Sequence, residues 1–307
     1  MCGSLLSPLL RPFLHKVQDE RGSVRDSPGV ALLTDRPFAW NRRPTSPTSD
    51  GKGAHVPKFK FAEFDPKATT LYFEINVGQG SPSPGETGVF IPPGFKAAGG
   101  VDLILYLHGH GSQGTIFRHW SAAYPYQFRF RHYLSSTKKN AILVAPSLGQ
   151  TSEAPSLEAK GGGDKYLDEV MEGLDAEGPL KGTSPSVGNI IVAAHSGGGI
   201  RMLNLVTAGF QAYAGKVREC WGYDCTYNAG VGQGFFSWAS GHPDTQVFVY
   251  YIAGTGTEAE AKILDRLARQ AWQPNIHVTA SSTDDHYRVP VRYFSGRVRE
   301  TSVLQSR

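Results

Sequence analysis

No apolar run in this sequence approaches the roughly 18 residues that a membrane-spanning helix needs, so a spanning helix is not expected. Cysteine is nearly absent, and three cysteines are too few for a disulfide framework. Cys220 and Cys225 fall in "ECWGYDCTY", which reads as a strand and would hold their α-carbons roughly 16 Å apart, against the ~7 Å limit for a bridge. Free thiols are expected. An excess of charge of one sign is missing too. A formal net charge of +4, from scattered basic residues, is too small to argue for nucleic acid, and no nucleic-acid partner is expected. The opening "MCGSLLSPLLRPFLHKV" has no basic segment ahead of its apolar one, and Ser7, Pro8 and Arg11 interrupt that run. Export by an ordinary leader is therefore not expected. A cytoplasmic location is the default, with leaderless export left open.

What is present is organised in two parts. Residues 1–66 are rich in Pro, Ser, Arg and Asp, with "RRPTSPTSDGKG" as the extreme, and read as a poorly ordered leader. Residues 67–307 read as one domain. "TTLYFEINVGQGSPSPGETGVFIPPGF" predicts two strands around a Gly/Pro-rich turn, a hairpin. Then "DLILYL", "AILVAP", "NIIVAA", "CWGYD", "VFVYYIA" and "IHVTA" alternate with the helical stretches "DKYLDEVMEGL", "GIRMLNLVTAGF" and "TEAEAKILDRLARQAW". The last carries a capping box, Thr257 to Glu260. Continuous apolar strands suit a parallel sheet buried on both faces, so the fold class is an α/β, mostly parallel twisted sheet flanked by helices.

The stretch "GNIIVAAHSGGGIRMLN" is a strand that meets a serine and three glycines and resumes as a helix. Ala194-His195-Ser196-Gly197-Gly198 resembles the G-x-S-x-G nucleophile elbow of the α/β-hydrolase superfamily, with Ala194 where the family usually has glycine. The plain alternative is a turn whose serine caps the following helix. "LILYLHGHGSQG" adds a strand running into His108-Gly109-His110-Gly111, similar to the family's H-G motif. The resemblance implies an oxyanion hole from the N–H groups of His110 and Gly197, with Gly111 assisting. The same glycines fit G-x-G-x-x-G, but a dinucleotide fold wants an acid about 20 positions on, and no Asp or Glu stands between Asp102 and Glu153. A metal site begun by His108 and His110 has no completing ligands close by in the sequence. No cofactor is expected.

A serine needs a histidine to take its proton and a carboxylate to hold that histidine's tautomer. The family's order is Ser, then acid, then His. Three histidines lie downstream of Ser196. His242 precedes a strand and His277 is inside one, whereas His286 in "SSTDDHYRVP" follows the last strand and is the predicted base. Two acids compete. Asp224 ends a strand beside aromatics, and Glu258 opens a capped helix where a carboxylate is welcome for dipole reasons alone. Asp224 is preferred and Glu258 stays open; Asp284 and Asp285 adjoin His286 too directly. Trp120, Tyr124, Tyr126 and Trp238 are candidates to shape a pocket for an acyl substrate, small or polymeric, with core packing as the alternative. The resemblance implies a serine hydrolase acting through an acyl-enzyme, with a carboxylic ester as the default substrate. A peptidase or amidase, or an inactive hydrolase fold used for binding, are the other readings.

Overall fold

The computed structural model describes residues 57–65, 68–75, 86–97, 99–110 and 129–307. Among them nine strands form one sheet in the order β1-β2-β3-β5-β4-β6-β7-β8-β9. These are β1 Lys58–Asp65, β2 Ala68–Glu74, β3 Glu86–Ile91, β4 Val101–Leu107, β5 Ile142–Pro146, β6 Val187–His195, β7 Val217–Tyr223, β8 Gln246–Tyr251 and β9 Ile276–Ala280. The first three pair antiparallel, β3 also meets β5 antiparallel, and every later pairing is parallel. The six strands from β4 to β9 therefore point the same way, and their carboxyl ends lie along one edge.

Helices cover both faces, which is why the strands are apolar without alternation. Leu103, Leu105 and Leu107 of β4 face one layer, with Leu167 and Val170 of α2 (Gly162–Ala176), Met202 of α3 (Gly198–Asn204), Phe235 of α4 (Val231–Ser240) and Leu264 of α5 (Glu258–Gln270). Ile104 and Tyr106 face the other, with Phe130 and Leu134 of α1 (Phe130–Thr137) and Phe294 and Val298 of α6 (Arg288–Glu300). Among the described residues no helix is long and apolar enough to cross a membrane.

The sequence-predicted strands are all present, and the hairpin closes with Glu74 opposite Glu86; its turn, residues 76–85, lies outside the described residues. Two expectations change. The leader boundary at residue 66 moves, because Lys58–Asp65 form an edge strand along β2, with Asp65 opposite Ala68. This short strand follows a Pro/Ser-rich stretch, and its alternation is too brief to stand out beside it. The strand expected to carry both Cys220 and Cys225 stops at Tyr223. Asp224 adopts a left-handed φ of 46° and turns the chain back, so that Cys225 Sγ comes close over Gly222. Both thiols are free and buried.

Candidate active site

Ser196 stands where β6 leaves the sheet, with φ of 55°, a left-handed conformation that a residue with a Cβ rarely adopts. Two backbone bonds pin it: its N–H donates to Tyr223 O at 3.2 Å, and its own carbonyl accepts from Gly199 N–H at 3.1 Å. Helix α3 begins with Gly197 at its N-cap and no side-chain cap, so the serine does not serve as a helix cap. Close approach explains the neighbouring glycines. A Cβ on Gly198 would lie 2.5 Å from Leu107 O at the end of β4, and one on Gly199 would lie 1.9 Å from Cys225 O beyond β7. The elbow is wedged between the two flanking strand ends. Ala194 is fully buried, and its methyl packs in the core of the sheet face.

The loop after β4 touches the serine. A Cβ on Gly109 would meet Ser196 Cβ at 2.5 Å and Oγ at 3.0 Å, so only glycine lets this backbone so near. His108, which starts the loop, is buried and fully engaged. Its Nε2 accepts from Leu148 N–H and its Nδ1–H donates to Gly109 O, both at 2.7 Å. Burial pushes its pKa down to about 4, so it is a neutral strut, with neither nitrogen left to hold a metal. The His110 ring lies over Gly197, where an added Cβ would come within 2.6 Å of it. Gly111 lies outside the described residues.

Asp224 and His286 meet at the same edge, from the ends of β7 and β9. His286 Nδ1 lies 2.6 Å from Asp224 Oδ2. Asp224 is 1% exposed. Its Oδ1 accepts from Ile252 N–H at 3.1 Å and from the Thr257 hydroxyl at 2.5 Å. Burial raises the pKa of this carboxyl, but the bonds from His286, Thr257 and Ile252 outweigh burial and hold it below the usual range. Glu258 points elsewhere: it pairs with Lys262 at 2.7 Å and accepts from Gly254 N–H at 2.9 Å. Asp285 closes its own turn, accepting from Tyr287 N–H at 2.9 Å. The structure thus joins Asp224, and neither rival, to His286. Among the described residues the Ser196 hydroxyl makes no hydrogen bond to His286.

Three residues that were not expected at the site join the arrangement. His195, next to Ser196, is 2% exposed and lays its ring on that of His286, centroids 4.4 Å apart. Its Nε2 faces the His286 carbonyl at 3.1 Å, and burial pushes its pKa down to about 3. A neutral Nε2–H donor is the form that satisfies this bond. Thr257 was read as half of a capping box. Its hydroxyl turns to Asp224 instead, and Glu260 accepts from the N–H groups of Gly230 and Gly232. Tyr227 reaches its hydroxyl to both members of the pair, 3.4 Å from Asp224 Oδ2 and 3.3 Å from His286 Nδ1.

The aromatic candidates fare differently. Trp238 does not line the site: it is 7% exposed, packs in the core and stacks on His242 near the start of β8, at the opposite edge of the sheet. Its place in α4 explains this, because that helix buries one face and Trp238 lies on it. Trp120, Tyr124 and Tyr126 lie outside the described residues. His242 bonds the Trp238 carbonyl, and His277 stacks on Phe248 within the sheet.

No protein-family model matches this sequence, and no curated protein does. Solved structures resemble its fold. A feruloyl esterase module from Clostridium thermocellum, solved with sinapinate, matches at 12% identity and a TM-score of 0.50, over 81% of this chain and 95% of that one. A ferulic acid esterase matches at 12% identity and a TM-score of 0.48, over 76% of this chain and 95% of that one. A glucuronoyl esterase from Solibacter usitatus matches at 11% identity and a TM-score of 0.45, over 84% and 88%. With a mostly parallel sheet, helices on both faces and a serine turned out at the end of a central strand, this chain has the α/β-hydrolase fold.

Proposed function

We propose that this protein is a serine hydrolase that cleaves a carboxylic ester through an acyl-enzyme on Ser196. One observation carries the reading: a buried, ionised Asp224 bonded at 2.6 Å to Nδ1 of His286, beside a serine held in a left-handed turn. Asp224 accepts the Nδ1 proton and so fixes the tautomer with a free Nε2 lone pair. His286 Nε2 takes the Ser196 proton as Oγ attacks the ester carbonyl. The N–H groups of Gly197 and His110 receive the oxyanion, and each such donor stabilises the transition state by about 3–4 kcal/mol. The intermediate collapses, His286 returns the proton to the departing alcohol, and water repeats the sequence to release the acid. Oγ–H and Nε2 need not be bonded in the resting site, because such hydrogen bonds tighten when substrate binds. An ester is favoured over an amide because an alcohol leaves with less help, and the similar solved esterase module supports the same chemistry.

A panel of p-nitrophenyl esters, with matched peptide anilides alongside, tests the reading. Ester turnover is expected, with Ser196→Ala reducing it on the order of 10⁶-fold. Asp224→Asn should cost about 10⁴-fold through the wrong tautomer. Glu258→Gln should cost only a few-fold. Anilide turnover above ester turnover would make the protein an amidase. Retained turnover in Asp224→Asn would remove Asp224 from the mechanism.

A further inference from the structure

The tyrosine that follows the acid by three residues has no part in the mechanism above, yet its hydroxyl sits on the acid–base pair. Tyr227 is 45% exposed, and its ring rests on Gly256, where an added Cβ would come within 3.4 Å of it. Its ring meets that of His286 edge-on, centroids 5.9 Å apart. The hydroxyl lies 3.4 Å from Asp224 Oδ2 and 3.3 Å from His286 Nδ1. Chemistry decides where its proton goes. Nδ1 already commits its own proton to Oδ2 at 2.6 Å and has no lone pair to offer, so the phenol donates to the carboxylate. Burial and then the Asp224 charge push the Tyr227 pKa up, which keeps the phenol a donor over the working range.

Resting on the hydrolase reading, we propose that Tyr227 is a positioning residue whose hydroxyl shares Asp224 Oδ2 with His286 and so sets how readily His286 gives up its proton. A second donor on the same oxygen spreads its negative charge and weakens its attraction for the imidazolium. His286 is then free as a base at lower pH than it would be with Asp224 to itself. The other groups around His286 do not supply this effect. His195, stacked on it from β6, is kept neutral by burial. Tyr287 faces it with the edge of its ring, centroids 5.2 Å apart. Asp285 and Arg288 on the same segment pair with each other at 3.4 Å.

Histidine-selective ¹⁵N NMR of the full chain reads the effect directly, with His286→Gln used to assign the signal. Tyr227→Phe keeps the ring on Gly256 and removes only the hydroxyl. It should raise the titration midpoint of His286 by about half a unit, the scale of one long hydrogen bond felt by one charge state. The acid limb of kcat/KM for a p-nitrophenyl ester should move up by the same amount. Tyr227→Leu, which also lets water in, should move the midpoint in the same direction and serves if the Phe variant fails to fold. A midpoint that stays or falls in the folded variant overturns the proposal, as does a uniform drop in turnover with an unmoved pH profile. The NMR reading needs no turnover. Absence of any Ser196-dependent hydrolysis would thus count against the hydrolase reading alone, and an unmoved midpoint with normal hydrolysis against Tyr227 alone.

Discussion

Asp224 is 1% exposed and ionised, a state that four donors make tolerable: His286 Nδ1–H, the Tyr227 and Thr257 hydroxyls, and Ile252 N–H. Of these, Thr257 acts on the oxygen that His286 does not use, so it fixes the plane of the carboxylate. Thr257→Val keeps the shape and removes the bond. Stability should fall by about 1.5–3 kcal/mol, the usual worth of a hydrogen bond to a charged group, with kcat lowered and KM little changed. Thr257→Ser should restore both; a urea melt and ester kinetics on the two variants decide. Residues of this kind explain what the sequence could and could not tell. The turn at Ser196 and the pairing of Asp224 with His286 were legible because each residue follows a strand in a pattern with a chemical reason. Thr257 was read as a cap because a Thr three residues before a Glu is a local signal. Its actual partner lies 33 positions away and is brought near only by the pairing of β7 with β8.

At the scale of elements, the elbow is a strand–turn–helix jammed against its neighbours. Gly199 has the least room, since a Cβ would stand 1.9 Å from Cys225 O. Gly199→Ala must push either α3 or the turn that carries Asp224. A stability loss of about 1–3 kcal/mol is expected, with loss of ester turnover, measured by thermal melting and a single ester assay. Wild-type stability in that variant would show that the wedge is looser than described. The buried strands were readable for the same reason that the elbow is tight: layers on both faces leave no polar position to interrupt them. Helices α1, α4 and α6 were not read. "VGQGFFSWAS" carries two glycines and "RVPVRYFSGRVRE" a proline and a glycine, residues that signal a break when no packing is visible. Pro290 falls in the first turn of α6, where a missing N–H costs the helix nothing, and Phe294 and Val298 then anchor the helix to the core.

For the whole molecule, six parallel strands deliver their loops to one edge, and that geometry gathers residues spread from 108 to 286. It also buries two histidines there. Burial holds His108 near pKa 4 and His195 near pKa 3, below the ordinary 6.5. In the window between those values and 6.5 the unfolded chain binds more protons than the folded one, so stability must fall as the pH falls. Their contribution is fully present above pH 6.5 and drains away toward pH 4 and pH 3. By pH 5 the two together should remove about 4 kcal/mol, at about 1.36 kcal/mol per unit each. Urea denaturation at pH 7 and pH 5 should show this drop, and the double variant His108→Gln/His195→Gln should show less of it. Equal stability at both pH values would mean that these imidazoles are not held neutral.

The central claim, an activated Ser196, is tested most directly by treating the protein with a fluorophosphonate and weighing the product. One covalent adduct per chain is expected. It should map to the peptide that contains Ser196, be absent in Ser196→Ala and form far more slowly in His286→Gln. An unlabelled wild-type protein, or an adduct on any other residue, would contradict the claim.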